Sequence, residues 1–160
     1  MSEMDISIRP IVPGDEGLIE EFFASMGGES RALFNRNDWN RTTVLQFCKE
    51  QKVGYHRYWM AEYEGKMAGM VFLWDLQTSI PWLGIGVRDD LHGKHLGSRL
   101  IAFVQDYVKK EGKGGIQLTT HLANVRGQAL YEKMGFELIG FSGQHNEWYY
   151  LFRFGTTEKV

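Results

Sequence analysis

The chain holds little cysteine, little proline and no long apolar run. Cys48 is the single cysteine among 160 residues, so no internal disulfide forms and no cysteine metal cluster is available. The five histidines (His56, His92, His95, His121, His145) show no HExxH spacing. His92 and His95 stand three apart without a third ligand, and no metal is expected. Charge of one sign is lacking too: 18 Lys+Arg against 20 Asp+Glu leave a net charge of −2. That balance carries no electrostatic footprint for nucleic acid. No apolar run approaches the roughly 20 residues of a bilayer span. "MSEMDISIRP" has neither the basic start nor the long apolar core of a signal peptide. A soluble, cytoplasmic protein without membrane or nucleic-acid partners is the expectation. Repeats, low-complexity tracts and linkers are also missing, so residues 1–160 are expected to form a single domain.

What is present suits a globular core. Hydrophobic residues make up 43%, charged residues 24% and aromatics 14%. A chain of this length buries roughly two thirds of its unfolded surface. "DISIRPI" alternates as a strand does, and Pro13-Gly14-Asp15 ends it. "EGLIEEFFASM" spaces its apolar residues for a helix, which Gly27-Gly28 stops. "DWNRTTVLQFCKEQK" is helical in pattern, with Cys48 on its apolar face. "HRYWMAEYE" and "MAGMVFLWDLQ" read as a hairpin across Glu64-Gly65-Lys66. "SIPWLGIGV" is a further strand. Leu96, Leu100, Ile101, Val104, Tyr107 and Val108 form one helical stripe. "GGIQLTTHL" is a strand, "VRGQALYEKM" a helix capped by Asn124 and stopped by Gly135, and "FELIGF" and "NEWYYLFRF" two last strands. The order is β-α-α-β-β-β-α-β-α-β-β. The strand–helix–strand unit in the later half implies a parallel crossover. The fold class is therefore mixed α/β: a central six- to seven-stranded mixed sheet with helices on both faces.

"LHGKHLGSRL", residues 91–100, sits between the third of these strands and the long helix. The first turn of a helix presents unpaired N–H groups and the positive end of the macrodipole, and phosphates bind there readily. Gly93 and Gly97 let backbone approach a ligand. His92, Lys94 and Arg99 supply charge. An ordinary turn explains the same residues. Neither GxxxxGK[ST] nor GxGxxG is present.

About 30 residues downstream lies "ANVRGQALYEKMGFELIG". Together the two segments resemble the GNAT superfamily of acetyl-CoA-dependent acyltransferases. The family's coenzyme loop, Q/R-x-x-G-x-G/A, is matched by His92-Gly93-Lys94-His95-Leu96-Gly97. Its "N…A…LYEKxGF" segment is matched by Asn124, Ala129, Leu130, Tyr131, Glu132, Lys133, Gly135 and Phe136. Here His92 replaces Gln/Arg and His95 replaces the first glycine. The element order also agrees, so the resemblance covers nearly the whole chain.

The resemblance implies acetyl-CoA as co-substrate, with its pyrophosphate on Gly93, Lys94, His95, Leu96, Gly97 and Ser98, beside His92. The pantetheine arm would pair with Ile85, Gly86 and Val87 as an added strand does. Tyr131 matches the general acid. Asn124 is a helix cap, a coenzyme contact, or both. The base is expected to be Glu62; Asp75, His121 and a water chain are the other candidates. The acceptor, a small-molecule or peptide amine, would lie between "MGGESRALFNRNDWN" and "GFSGQHNEWYY". The implied reaction is N-acetyl transfer by direct attack, without an acyl-enzyme, since Cys48 is far in sequence from both motifs. The rival reading is a non-catalytic acyl-CoA sensor on the same fold. The family's C-terminal strands also allow a homodimer.

Overall fold

Alternating apolar residues and turn-forming breaks set the element boundaries. A computed structural model describes residues 5–28, 39–51 and 55–155. Along the chain run β1 (Ser7–Pro10), α1 (Glu16–Ala24), α2 (Trp39–Glu50), β2 (His56–Tyr63), β3 (Lys66–Trp74), β4 (Trp82–Val87), α3 (Leu96–Lys110), β5 (Gly115–Thr120), α4 (Val125–Lys133), β6 (Glu137–Ser142) and β7 (Glu147–Arg153). This is the expected order. Two strands are shorter than their apolar stretches. β1 stops at Pro10, which has no N–H for a ladder. β4 starts only after Pro81, for the same reason.

One seven-stranded sheet has the order β1-β2-β3-β4-β5-β7-β6. All neighbours are antiparallel except β4 and β5, which α3 joins as a parallel crossover. Two cores flank the sheet. α1 and α2 cover one face with Ile19, Phe22, Phe23, Val44 and Phe47 against Tyr58, Met60, Met70 and Phe72. The other face carries the α3 stripe of Leu96, Leu100, Ile101, Val104 and Val108, with Val71, Leu73, Ile116, Leu118 and Tyr150 beneath it. Tyr107 lies at the edge of that stripe, half-buried, with its ring 5.0 Å from Trp59. Truncating a fully buried leucine such as Leu100 to alanine costs about 2–5 kcal/mol in cores of this kind.

α1 is anchored by charge, not by an ordinary cap. Asp15 precedes it, but its carboxylate makes no capping bond to the helix. It accepts instead from the Arg9 guanidinium through both oxygens at 2.8 Å and from the Val12 amide at 2.8 Å. The Arg9 hydrogen bond is the main reason the Asp15 carboxyl is held below its ordinary pKa.

Candidate active site

The two parallel strands part. β3 and β4 pair along their length, from Trp74↔Trp82 to Gly69↔Val87. β4 and β5 pair only at Trp82↔Gln117. A cleft of about 1490 Å³ opens at this divergence, lined by β4, the end of β5, the starts of α3 and α4, and the β6–β7 loop. Ile85, Gly86 and Val87 are on its wall.

The start of α3 faces this cleft without a side-chain cap. After a short 3-10 turn at Asp89–Leu91, Gly93 takes φ +80°. His95, the residue before the helix, has φ 62° and ψ 14°. That left-handed backbone costs a non-glycine residue about 1–2 kcal/mol, and it falls where the family's loop has glycine. The first helical amide bonded back to His95 is that of Arg99, at 3.2 Å. The amides of Leu96, Gly97 and Ser98 precede that bond, as the opening amides of a helix do. His92, Gly93, His95, Leu96, Gly97 and Ser98 all line the cleft; Lys94 is exposed and not on its wall. Gly97 has a packing reason of its own, because a Cβ there would lie 2.8 Å from Leu130 Cδ2. The His92 ring is fixed by a 3.2 Å contact between Nε2 and the Val87 carbonyl. A carbonyl only accepts, so Nε2 carries hydrogen there.

α4 starts differently. Asn124 Oδ1 accepts the Gly127 amide at 3.1 Å, and Asn124 Nδ2 donates to Thr120 Oγ1 at 2.9 Å. Thr120 opposes part of the rise in the Tyr131 pKa. Burial is the largest cause of that rise; Glu147 and Tyr150 add to it. Tyr131 therefore stays a neutral phenol far above neutral pH. It is 7% exposed and reaches the cleft wall. Its ring stands 5.9 Å from Tyr150, whose hydroxyl donates to Glu132 at 2.9 Å.

The expected base is not brought here. Glu62 lies beside a register shift in β2 and accepts from Arg9 Nε at 2.7 Å. It takes no part in the cleft wall. Asp75 and His121 do reach it. His121 Nδ1 accepts the Ala123 amide at 3.0 Å, which orients the ring. Glu147, at the start of β7, lines the cleft and is the carboxylate acting on Tyr131.

The sequence profile of the acetyltransferase (GNAT) family matches residues 20–136. The chain belongs to the GNAT acetyltransferase family. Solved structures share its fold. One is the PaiA N-acetyltransferase of Thermoplasma acidophilum in complex with coenzyme A, at 19% identity and a TM-score of 0.75, covering 94% of this chain and 100% of that one. Another is the ribosomal-protein-S18-alanine N-acetyltransferase of Escherichia coli, at 17% and 0.72, covering 96% and 97%. A third is the spermidine N-acetyltransferase of Vibrio cholerae in complex with CoA and spermine, at 18% and 0.72, covering 91% and 93%. Comparison with curated proteins finds no match.

In this GNAT chain, sequence reasoning missed Thr120, Glu147 and the aromatic wall of Phe72, Trp74 and Trp82. None carries a motif. Thr120 and Glu147 meet Tyr131 only because β5 and β7 pair Thr120 with Trp148. The loop is also tied to α1. Asp89 Oδ2 accepts the Gly27 amide at 2.6 Å, and Arg88 Nη1 lies 2.5 Å from Glu21 Oε1. Of the expected acceptor stretch, residues 29–38 lie outside the described residues. Met26, Gly27, Gly28 and Asn40 line the cleft. Among the described residues no group of three or more His, Cys, Asp or Glu is arranged to hold a metal, and no helix is long and apolar enough to cross a membrane.

Proposed function

We propose that the protein transfers the acetyl group of acetyl-CoA to a primary amine of a small molecule or peptide. The observation that carries this is the parting of β4 and β5 between the uncapped start of α3 and the buried Tyr131 hydroxyl. The amides of Leu96, Gly97 and Ser98, with Gly93, hold the pyrophosphate. Ile85, Gly86 and Val87 offer a free strand edge to the pantetheine arm.

The reaction is a direct attack. The amine nitrogen bonds to the acetyl carbon, the carbon–sulfur bond breaks, and the leaving sulfur gains a proton. Tyr131 donates to that sulfur. A thiol has a pKa near 8.5, and burial pushes Tyr131 well above it. Full proton transfer is therefore uphill, and the phenol acts chiefly as a hydrogen-bond donor to developing charge. The attacking amine must be neutral. Glu147 and Asp75 are the carboxylates placed to receive its proton, directly or through water. Asn124 and Thr120 position Tyr131.

Cys48 does not form an acyl-enzyme. It is fully buried, its Sγ donates to the Val12 carbonyl at 3.2 Å, and burial raises its pKa. The test measures thiol release from acetyl-CoA with and without amines, and the mass of the protein after acetyl-CoA alone. Amine-dependent release with an unmodified protein is expected. Release accompanied by an acetylated protein that then passes the group on would overturn direct attack.

A further inference from the structure

His95 keeps a left-handed backbone, with φ 62°, that a glycine would adopt without strain. Strain held at a cleft residue points to a role for its side chain. His95 is exposed and lines the cleft at the opening of α3, next to the amides of Leu96, Gly97 and Ser98. Among the described residues its ring has no hydrogen-bond or ion-pair partner. His92 differs: it is half-buried, and its ring is tied to the Val87 carbonyl.

The charged groups around this opening are mostly cations. Lys94 is exposed beside His95, Arg99 lies in the first turn of α3, and Arg126 reaches the cleft wall from α4. Lys133, also of α4, donates to Ser98 Oγ at 3.3 Å. The nearby acids are engaged elsewhere. Asp89 accepts the Gly27 amide at 2.6 Å, Asp90 Oδ1 lies 3.4 Å from Arg88 Nε, and Glu21 of α1 pairs with Arg88. The first turn of α3 holds no acidic residue. No carboxylate among the described residues therefore pairs with His95, and a protonated ring there gains its partner only when an anion arrives.

Resting on the acetyl-transfer reading, we propose that the His95 ring binds the coenzyme's pyrophosphate as an imidazolium, so that coenzyme binding draws a proton from solvent. The amides of the loop hold phosphate oxygens at any pH. His95 adds a charge-assisted hydrogen bond that only the protonated ring makes in full. Imidazole is the side chain whose ordinary charge change falls near neutral pH. A bound anion favours the charged form, so the ring in the complex keeps its proton to higher pH. Affinity is then greatest on the acid side and falls as the pH rises through the range where the bound ring loses that proton.

The test is calorimetric titration of 3′-dephospho-coenzyme A at pH 7 in buffers of different ionisation heat, which counts the protons exchanged. This probe keeps the pyrophosphate and lacks the 3′-phosphate, a monoester that itself titrates near pH 6. An imidazole whose pKa rises by about one unit on binding takes up about half a proton at pH 7, and affinity falls about fivefold from pH 6 to pH 8. Those are the expected results. His95→Asn keeps a residue that tolerates the left-handed backbone and removes the charge. It should bring the uptake below about 0.2 proton and flatten the pH dependence to within about twofold, with an unchanged melting temperature and with binding retained through the amides. Binding without proton uptake in the unaltered protein overturns the proposal. So does undiminished uptake in a folded His95→Asn protein, which would place the proton on His92 or another cleft histidine. Failure of both 3′-dephospho-coenzyme A and coenzyme A to bind overturns the acetyl-transfer reading itself, and the proposal with it.

Discussion

The two helices that begin at the cleft begin in opposite ways. α4 is closed by Asn124, whose side chain caps the Gly127 amide and reaches back to Thr120. α3 is preceded by His95 in a left-handed backbone with no side-chain cap, and its first turn holds no acidic residue. A capped start has spent its amides on the protein. An uncapped one keeps them for a ligand. Under the proposed acetyl transfer, the same cleft has a positioning end at Tyr131 and a phosphate-binding end at the start of α3.

The sharpest way to break this comparison is at the positioning end. Tyr131→Phe is expected to lower kcat by about 10²-fold or more and leave coenzyme affinity unchanged; steady-state kinetics beside calorimetry measures both. A parallel drop in affinity would place Tyr131 at the binding end. Alkaline unfolding probes the same tyrosine without mutation. Tyr131, Tyr58 and Tyr150 all have raised pKa values, the last two pushed up to about 12, mainly by burial. Each binds its proton more tightly folded than unfolded. Their contribution is therefore full below about pH 10 and is lost as the pH rises toward 12. Melting temperature against pH should fall across that window.

Smaller effects sharpen the contrast between the helix starts. Gly97→Ala pushes a methyl onto Leu130 and should cost about 1–3 kcal/mol in chemical denaturation. Asn124→Ala removes the α4 cap and should cost about 1 kcal/mol, with a loss of kcat through Thr120 and Tyr131 but not of coenzyme affinity. His95→Gly relieves the left-handed backbone. It should raise stability by about 0.5–1 kcal/mol, whereas the glycine-for-asparagine exchange at the α4 cap should not. Glu62→Gln is expected to leave kcat within about a factor of two, because its carboxylate serves Arg9, outside the cleft; the exposed part of that pairing is worth little.

Local patterns made the fold legible. Alternation fixed the strands, the i, i+4 stripe fixed α3, and Asn124 and Gly135 bounded α4. The glycine-bearing loop and the "LYEK" segment, each written within a few consecutive residues, come together on the wall of one cleft. Groups assembled across strands were not legible. Glu147 meets Tyr131 through the β5–β7 register, and Trp74 meets Trp82 through the β3–β4 register. Glu62 misled because alternation along β2 does not tell which polar residue β1 will cover, and Arg9 of β1 claims it. His121 lines the cleft, and the Ala123 amide bonded to its Nδ1 belongs to a turn no pattern predicts.

The central claim is that the uncapped start of α3 binds phosphate. Calorimetric titration of coenzyme A against pantetheine lacking the phosphates tests it most directly. Micromolar binding of coenzyme A with loss of most affinity in pantetheine is the predicted result. Equal binding of the two, or no binding of coenzyme A at millimolar concentration, would contradict it.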